Sequence, residues 1–168
     1  MPAPEARVLL TALRTHGVTP CVGGGWAVDA LVGHPTRPHA DLDLWSVADD
    51  AEGLFAALVG QGVDRIHPWP GDRPWNFVLH DGRSRRVDLH FYERLGEGRL
   101  RYGSITSPFL FTERDLSGEG EIARLPVRCE TPEFALRNHL GYDARDVDAH
   151  DVALLCQHFG LEPPEGFA

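Results

Sequence analysis

The sequence predicts an α+β protein built on a mixed β-sheet with flanking helices and C-terminal helices. Three observations support this prediction. In the first half, segments in which apolar and polar residues alternate, as in strands, are interleaved with segments of helical periodicity. A glycine-rich turn joins an early strand to a helix. Two further helical segments, 131–140 and 144–160, complete the C-terminal part. With 168 residues, of which 42% are hydrophobic, the chain can bury a sizeable core.

The N-terminal elements form one strand–turn–helix unit after a first helix. Apolar residues recur at helical spacing in residues 4–16, which predicts an amphipathic helix ending at a glycine. The segment VTPCV (18–22) predicts a short strand, and three glycines follow it. Residues 26–33 then predict a second helix closed by its final glycine.

Three more strands and one helix are predicted downstream. In DLDLWSV (41–47), acidic and apolar residues alternate with the period of a strand. Residues 51–62 predict a helix that returns over the sheet. Two more alternating segments, 75–80 and 85–92, predict strands joined by a hairpin-type Asp-Gly turn.

The middle of the chain shows little periodicity. Residues 94–120 are rich in Gly, Ser and Arg, which predicts loops around a site rather than core. Residues 126–130 predict a last strand before the C-terminal helices. We therefore divide the chain into a core of residues 1–93 and a part of residues 94–168, in which loops and helices pack on the same domain.

The basic residues restrict the chemistry that the protein can perform. All 16 are arginines, and the chain contains no lysine. This excludes a Walker-type phosphate loop and any Schiff-base, pyridoxal-phosphate or lysyl-adenylate mechanism. Phosphate charge must be met by metal ions, arginine and backbone N–H groups. The net charge of −9 argues against nucleic acid as a partner and suits a cationic small molecule, although it also promotes solubility.

Cysteine content and hydropathy indicate the cellular location of the protein. Cys21, Cys129 and Cys156 are an odd set without zinc-like spacing, which predicts reduced thiols rather than disulfides or structural zinc. No apolar run of about 18 residues is present, so a membrane span is not expected. The N-terminal segment lacks the pattern of a secretory signal. We therefore expect a cytoplasmic protein.

Three aspartates carry the main functional hypothesis. Asp41 and Asp43 lie two residues apart on one strand and project from the same face, roughly 7 Å apart. Paired carboxylates call for a cation, and oxygen ligands select Mg²⁺ or Mn²⁺ over zinc. Asp88 supplies a third acid from a candidate adjacent strand. Three acids from two strands are typical of a two-metal centre, with Asp88 as both ligand and general base.

A glycine pair adds a candidate phosphate site. Gly24 and Gly25 would let backbone N–H groups approach a triphosphate at the N-terminus of a helix. Each signal has an ordinary alternative: a glycine pair is often only a turn, an Asp-x-Asp is often a solvated strand face, and Asp88 could pair with Arg85 or Arg86. Their order and spacing together indicate function.

These motifs bring the chain close to a known family. The stretch VGGGWAVDALVGHPTRPHADLDLW (22–45) resembles the nucleotidyltransferase superfamily in its antibiotic-modifying form. It is most similar to the small lincosamide nucleotidyltransferases and next to the aminoglycoside 2″-nucleotidyltransferases. Residues 75–92 resemble the third-acid strand of that family, and 126–142 and 146–161 resemble its C-terminal helices. The resemblance covers nearly the whole chain and is lowest around 94–115.

The resemblance implies a fold and a reaction. The fold is a mixed-sheet nucleotidyltransferase core. A hydroxyl of an antibiotic attacks the α-phosphorus of a nucleoside triphosphate, and pyrophosphate leaves. ATP is the first choice of triphosphate. The family's catalytic positions fall on Asp41, Asp43 and Asp88, with two Mg²⁺ ions, and its triphosphate positions fall on Gly24 and Gly25. A homodimer with sites near the subunit boundary is also implied.

Several neighbours are secondary candidates for nucleotide or structural roles. Arg37 and His39 directly precede the metal strand and are predicted to contact the nucleotide, with solvent exposure as the alternative. Asp29 matches a family position. It is predicted either to brace the glycine turn or the loop at 36–37, or to take a direct part in the site. On the last helix, His150 and Asp151 resemble a family position, but a helix-packing ion pair is the preferred interpretation.

Other neighbours are candidates for the acceptor site. Trp75 and Asn76 precede the third acid along the hairpin and are predicted to form a wall of the acceptor site, although an aromatic residue there is also typical of core. His90 shares the face of Asp88, which indicates a role beside the metal or the substrate.

Rival hypotheses remain beside an antibiotic nucleotidyltransferase. One is a nucleotidyltransferase that modifies a protein or an RNA, against which the lack of a basic stripe argues. The other is a catalytically silent nucleotide-binding protein, against which the retention of three repelling acids argues.

Overall fold

The computed structural model describes residues 1–67, 76–103, 107–140 and 143–167, and in these ranges it contains five α-helices and nine strands. The helices are α1 (Ala3–Thr15), α2 (Gly24–Val32), α3 (Ala51–Gly60), α4 (Pro132–Asn138) and α5 (Asp146–Phe159). The strands are β1 (Cys21–Gly23), β2 (Leu42–Val47), β3 (Arg65–Ile66), β4 (Asn76–His80), β5 (Arg86–Gly96), β6 (Arg99–Tyr102), β7 (Leu110–Thr112), β8 (Gly118–Ile122) and β9 (Leu125–Cys129). The predicted α+β class is confirmed.

The strands form one mixed sheet. Its order is β3-β4-β5-β2-β1-β9-β8, with β6 paired to the far end of β5 and β7 paired to β6. The pairs β2–β5 and β1–β9 are parallel, and the others are antiparallel. Each parallel pair joins strands that are distant in sequence, so the centre of the sheet brings the early and late parts of the chain together.

The two faces of the sheet have different surroundings. One face is covered by apolar side chains of α1, α2 and α3 and includes four fully buried residues of the central strands: Leu42, Leu44, Val87 and Leu89. On the other face, Trp45 and Tyr92 pack with Phe111 and Phe134 in a second cluster. Because side chains alternate along a strand, the polar residues between the leucines face this second side.

The first strand–turn–helix unit forms as predicted, but α2 begins at Gly24 rather than at residue 26. The helix ends at Gly33, which has the left-handed φ of 84° that favours glycine.

Within the described residues, no helix is long and apolar enough to cross a membrane.

The prediction of loops for residues 94–120 is wrong. The structure places the end of β5, then β6, β7 and the start of β8 in this stretch. The strand β8 reads Gly-Glu-Gly-Glu-Ile, which has low intrinsic strand propensity. It is a strand because β9 pairs with it and because Gly120 admits the backbone of α2 at close range. The division of the chain at residue 93 stays a prediction.

The turn between β8 and β9 offers a stability prediction. Ala123 and Arg124 occupy the two turn positions with φ of 50° and 63°, where a residue other than glycine loses about 1 kcal/mol. Two-residue hairpin turns favour Asn-Gly for this reason. Because Arg124 is exposed, we expect Arg124→Gly to raise the melting temperature by about 2–4 °C. Thermal denaturation followed by circular dichroism measures this change.

A matched arginine outside a turn serves as the control. Arg99 is exposed on β6 and has no positive φ. We expect Arg99→Gly to lower the melting temperature, because glycine weakens a strand. A melting temperature of Arg124→Gly equal to or below that of the wild type would contradict the assigned turn strain.

Candidate active site

Asp43 and Asp88 lie side by side at the centre of the sheet. The parallel register of β2 and β5 pairs these two residues directly. Their apolar neighbours along each strand point into the helix-covered core, so both carboxylates face the opposite side. The structure thus brings together two of the three predicted acids on adjacent strands.

A cavity of about 620 Å³ opens over these acids. This volume is within the range of small-molecule sites, which is about 300–1,000 Å³. Asp41 directly precedes β2 and also lines the cavity. Its carboxylate lies 3.6 Å from Nε of Arg86, so a positively charged side chain of the protein already faces Asp41.

Burial and neighbouring negative charge raise the pKa of two of these acids, Asp41 and Asp88. Burial raises the pKa of Asp41, the neighbouring Asp43 adds to this, and Arg86 partly offsets it. Burial also raises the pKa of Asp88, with His90 opposing the shift and Asp43 reinforcing it. Partly desolvated like charges of this kind favour a bound cation, because a cation removes the repulsion between them.

His90 lies between the two paired acids. Its Nε2 is 3.6 Å from Asp43 Oδ1 and 3.7 Å from Asp88 Oδ1. Burial lowers the pKa of His90, but the two carboxylates outweigh burial and raise it. Ligand atoms of Asp43, Asp88 and His90 all lie within 4.8 Å of one another, so these residues fit a divalent cation. In the described part of the chain Asp41 does not join this group, and its role as a ligand stays a prediction.

Asn76 orients Asp88 from the neighbouring strand β4. Its amide nitrogen donates to the Asp88 carboxylate and, over 3.1 Å, to the carbonyl oxygen of Leu89. The side chain is buried and engaged with the protein. Its predicted contact with an acceptor stays a prediction. Trp75, the other predicted wall residue, lies outside the described residues.

The first turn of α2 lies against the acids. A Cβ atom on Gly24 would overlap the carboxylate of Asp43, and one on Gly25 would overlap the guanidinium of Arg37. Glycine is therefore required for close packing at both positions. The N-terminus of α2 also presents its partial positive charge to this end of the cavity, which is favourable for an anion. The predicted triphosphate contact of Gly24 and Gly25 stays a prediction.

Arg37 and His39 line the cavity and are bonded to protein groups. Arg37 forms a two-bond ion pair with Asp151 of α5, with Nε–Oδ1 of 2.8 Å and Nη2–Oδ2 of 2.5 Å. The sequence predicted a helix-packing ion pair at this position without a named partner, and the structure pairs Asp151 with Arg37 of the loop before β2. His39 is buried, and its Nε2 lies 2.5 Å from Asp29 Oδ2. Nucleotide contact by Arg37 and His39 stays a prediction.

Asp29 braces the loop that precedes β2. Its Oδ1 accepts hydrogen bonds from the backbone N–H and the hydroxyl of Thr36, over 3.0 and 2.6 Å. Burial opposes ionisation, but the hydrogen bonds from His39 and Thr36 outweigh it and lower the pKa of Asp29. The structure shows Asp29 bracing this loop, and a direct role in the site stays a prediction.

Glu130 is a buried acid in the cavity wall to which the sequence analysis gave no role. Its Oε1 accepts hydrogen bonds from Trp45 Nε1 (2.6 Å) and Asn138 Nδ2 (2.9 Å). No hydrogen-bond partner of its Oε2 is found among the described residues. Burial raises the pKa of Glu130 to about 7, although these hydrogen bonds oppose the shift. Only the parallel pairing of β9 with β1 places Glu130 here, and no local pattern signals it.

The titration of Glu130 predicts a pH-dependent stability. A glutamate whose pKa rises from 4.5 to about 7 on folding holds its proton longer in the folded state. The free energy of unfolding therefore falls between about pH 4.5 and 7, by about 3 kcal/mol in total. Glu130→Gln keeps an acceptor for Trp45 and Asn138 and removes this titration. We expect the variant to melt at a higher temperature than the wild type at pH 8.

Melting temperatures measured from pH 5 to 8 test this expectation. The difference between Glu130→Gln and the wild type should grow as the pH rises. Glu119→Gln is the matched control, because Glu119 is exposed on β8, and its pH profile should equal that of the wild type. If the variant were no more stable than the wild type at pH 8, burial of the ionised Glu130 carboxylate would not lower the free energy of unfolding.

An aromatic wall of the cavity was also missed. Trp45, Tyr102 and Phe109 line the cavity beside His90. Trp45 lies two residues after Asp43, so strand alternation alone was sufficient to place it on the same face. Tyr102 and Phe109 fall in the stretch for which loops were predicted, and only strand pairing brings Tyr102 beside Tyr92 and the cavity.

Comparison with known proteins decides the family. The sequence model of the aminoglycoside-2″-adenylyltransferase family matches residues 6–155. The chain belongs to this family. A lincosamide resistance protein of Staphylococcus haemolyticus is 24% identical over 135 residues, which cover 80% of this chain and 82% of that protein. A 2″-aminoglycoside nucleotidyltransferase of Klebsiella pneumoniae is 25% identical over 174 residues, with coverage of 94% and 87%.

A solved structure shares the fold of this chain. The lincomycin-bound crystal structure of the lincosamide antibiotic adenylyltransferase LnuA has a TM-score of 0.75 and 24% identity, covering 90% of this chain and 94% of that chain. This likeness supports the nucleotidyltransferase fold. The match of the family model over residues 6–155 confirms the predicted superfamily, and the protein is an enzyme of the nucleotidyltransferase class.

Proposed function

We propose that the protein transfers a nucleoside monophosphate to a hydroxyl group of a small-molecule antibiotic, with AMP from ATP as the first choice. The pairing of Asp43 with Asp88 beneath one cavity, beside the N-terminus of α2, carries the proposal. The acceptor oxygen forms a bond to the α-phosphorus. The bond from that phosphorus to the bridging oxygen breaks, and pyrophosphate leaves with the electron pair.

The residues around Asp88 suit it as the proton acceptor of the hydroxyl. The raised pKa of this carboxyl brings it closer to neutral pH, where a general base is most effective. The amide of Asn76 holds one carboxylate oxygen. In a chain without lysine, triphosphate charge would be met by the N–H groups of Gly24 and Gly25 and by arginine, with Arg37 and His39 at that wall of the cavity.

Asp41, Asp43 and Asp88 would hold Mg²⁺, as two ions in the proposed arrangement. Bound there, the metal would neutralise the triphosphate and favour ionisation of the attacking hydroxyl. The raised pKa values of Asp41 and Asp88 support a cation at this position, because burial and the neighbouring acids disfavour their charged forms and a bound cation would offset both effects.

A lincosamide is the first choice of acceptor. The similarity to a lincosamide resistance protein and to LnuA supports it. The aromatic side chains of Trp45, Tyr102 and Phe109 also suit an acceptor with apolar surface. An aminoglycoside is the second candidate, favoured by the matching family model and by the net charge of −9, which suits a polycation.

An acceptor screen tests the proposal. The protein is incubated with Mg²⁺ and ATP and with a lincosamide or an aminoglycoside, and the reaction is followed by pyrophosphate release and by mass spectrometry of the drug. We expect the lincosamide to gain one nucleotidyl group, with no product in the presence of EDTA. Product formed with the aminoglycoside and not with the lincosamide would show that an aminoglycoside is the acceptor. Labelled protein or RNA would support the partner-modifying alternative, and ATP binding without any product would contradict the proposal.

The proposal includes a homodimer with its sites near the subunit boundary. Size-exclusion chromatography with light scattering should then give twice the chain mass of 18.6 kDa. The cytoplasmic location stays a prediction from the sequence.

A further inference from the structure

The imidazole of His90 is held in one orientation from two sides. The indole of Trp45 stacks on it, with ring centroids 4.8 Å apart and an interplanar angle of 29°. The hydroxyl of Tyr102 lies 2.8 Å from Nδ1. With one face and one nitrogen engaged, the ring presents its other nitrogen, Nε2, to Asp43 and Asp88.

The spacing of these groups matches a metal site better than a set of hydrogen bonds. The distances from Nε2 to the two carboxylates, 3.6 and 3.7 Å, are too long for hydrogen bonds. In an octahedral shell with bonds of about 2.1 Å, adjacent ligand atoms lie about 3.0 Å apart and opposite ones about 4.2 Å apart. The observed distances fall between these values, so a cation between the three groups would need only small side-chain shifts.

We infer that His90 is itself a metal ligand through Nε2, together with Asp43 and Asp88. This inference rests on the proposed metal-dependent nucleotidyl transfer and deepens it. In that state Nδ1–H donates to the hydroxyl of Tyr102, as the second ring nitrogen of a ligating histidine commonly does. His90 is therefore more than a neighbour of the substrate.

A nitrogen ligand changes the preference among metal ions. Mg²⁺ favours oxygen ligands, whereas imidazole binds transition-metal ions better. The site of Asp43, Asp88 and His90 should bind Mn²⁺ and Co²⁺ at least about tenfold more tightly than Mg²⁺. Substitution of His90 should weaken Mn²⁺ binding by about tenfold or more and affect Mg²⁺ less, because even the loss of a supporting hydrogen bond costs about 10- to 100-fold in metal affinity.

Pulsed electron paramagnetic resonance tests the inference directly. The full chain is loaded with one equivalent of Mn²⁺, with and without α,β-methylene-ATP, and electron spin echo envelope modulation is recorded. We expect ¹⁴N coupling from a bound imidazole in the wild type and its loss in His90→Gln. His158→Gln is the matched control, because His158 lies near the exposed end of α5, and it should keep the coupling.

The outcomes separate this inference from the proposed function. A wild type that binds Mn²⁺ and transfers nucleotide without ¹⁴N coupling would overturn the inference and leave the function standing. Coupling that persists in His90→Gln would also overturn it. A protein that neither binds Mn²⁺ nor transfers nucleotide would overturn both. Because the wild-type spectrum alone can refute ligation, the test does not depend on the folding of the variant.

Discussion

Asp88→Asn is expected to lower kcat by about 100- to 10,000-fold. An amide cannot accept the proton of the attacking hydroxyl, whereas a carboxylate held by Asn76 can. Binding of the triphosphate should fall less, because Asp41 and Asp43 retain their charges. Steady-state pyrophosphate release gives kcat and KM, and calorimetric titration with a non-hydrolysable triphosphate gives the binding constant.

The fold should tolerate this change. Burial and Asp43 already raise the pKa of Asp88, so a neutral side chain relieves repulsion and the melting temperature should not decrease. Asp64→Asn is the matched control, because the Asp64 side chain is 52% exposed and lines no part of the cavity. Normal turnover in Asp88→Asn would exclude Asp88 as the general base.

Arg37→Met is expected to destabilise the protein by about 3–5 kcal/mol. It leaves the Asp151 carboxylate, which is only 1% exposed, without its two-bond partner. Among the described residues, the carboxylate then keeps only the contact with His139, whose Nε2 lies 3.9 Å away. A charge so poorly compensated at that depth is costly because its hydration is not replaced. The melting temperature of the nucleotide-free protein should fall by about 10 °C, which scanning calorimetry measures.

A double-mutant cycle separates this penalty from loss of packing. Arg37→Met with Asp151→Leu removes both charges and should recover most of the lost stability, because an apolar pair of similar volume replaces a buried ion pair at little cost. Arg65→Met is the exposed control, since its contact with Asp64 is 3.9 Å long at the surface, and it should change stability by less than about 0.5 kcal/mol. If the double variant were as unstable as Arg37→Met, the unpaired charge would not be the cause.

Strand alternation explains why so much of the site was predictable. Leu42 and Leu44 in β2, like Val87 and Leu89 in β5, alternate with polar residues. This alternation places Asp43, Asp88 and His90 on the face opposite to those apolar residues. The helix that follows the glycine turn was recognisable for a similar reason, since Gly33 marks its end. These are local rules that depend on residues a few positions apart.

Other parts of the structure depend on distant partners. The strands β6, β7 and β8 have weak periodicity of their own. They form because β6 pairs with β5, β7 pairs with β6 and β8 pairs with β9. Glu130 is 85 residues from Trp45 in sequence and reaches it only through the pairing of β9 with β1. Arg37 meets Asp151 across 114 residues, so no local pattern identified Arg37 as the partner of Asp151.

By itself, the sequence determined the chemistry open to this protein. A chain with 16 arginines, no lysine and paired acids on alternating strands must handle phosphate through metal ions, arginine and backbone groups. Only the tertiary structure decided which groups meet. The parallel register aligns Asp43 with Asp88, and strand pairing brings Tyr102 to His90 and Glu130 to Trp45. The physical reason is that side-chain direction follows from local backbone geometry, whereas strand partners are chosen by burial and hydrogen bonding over the whole sheet.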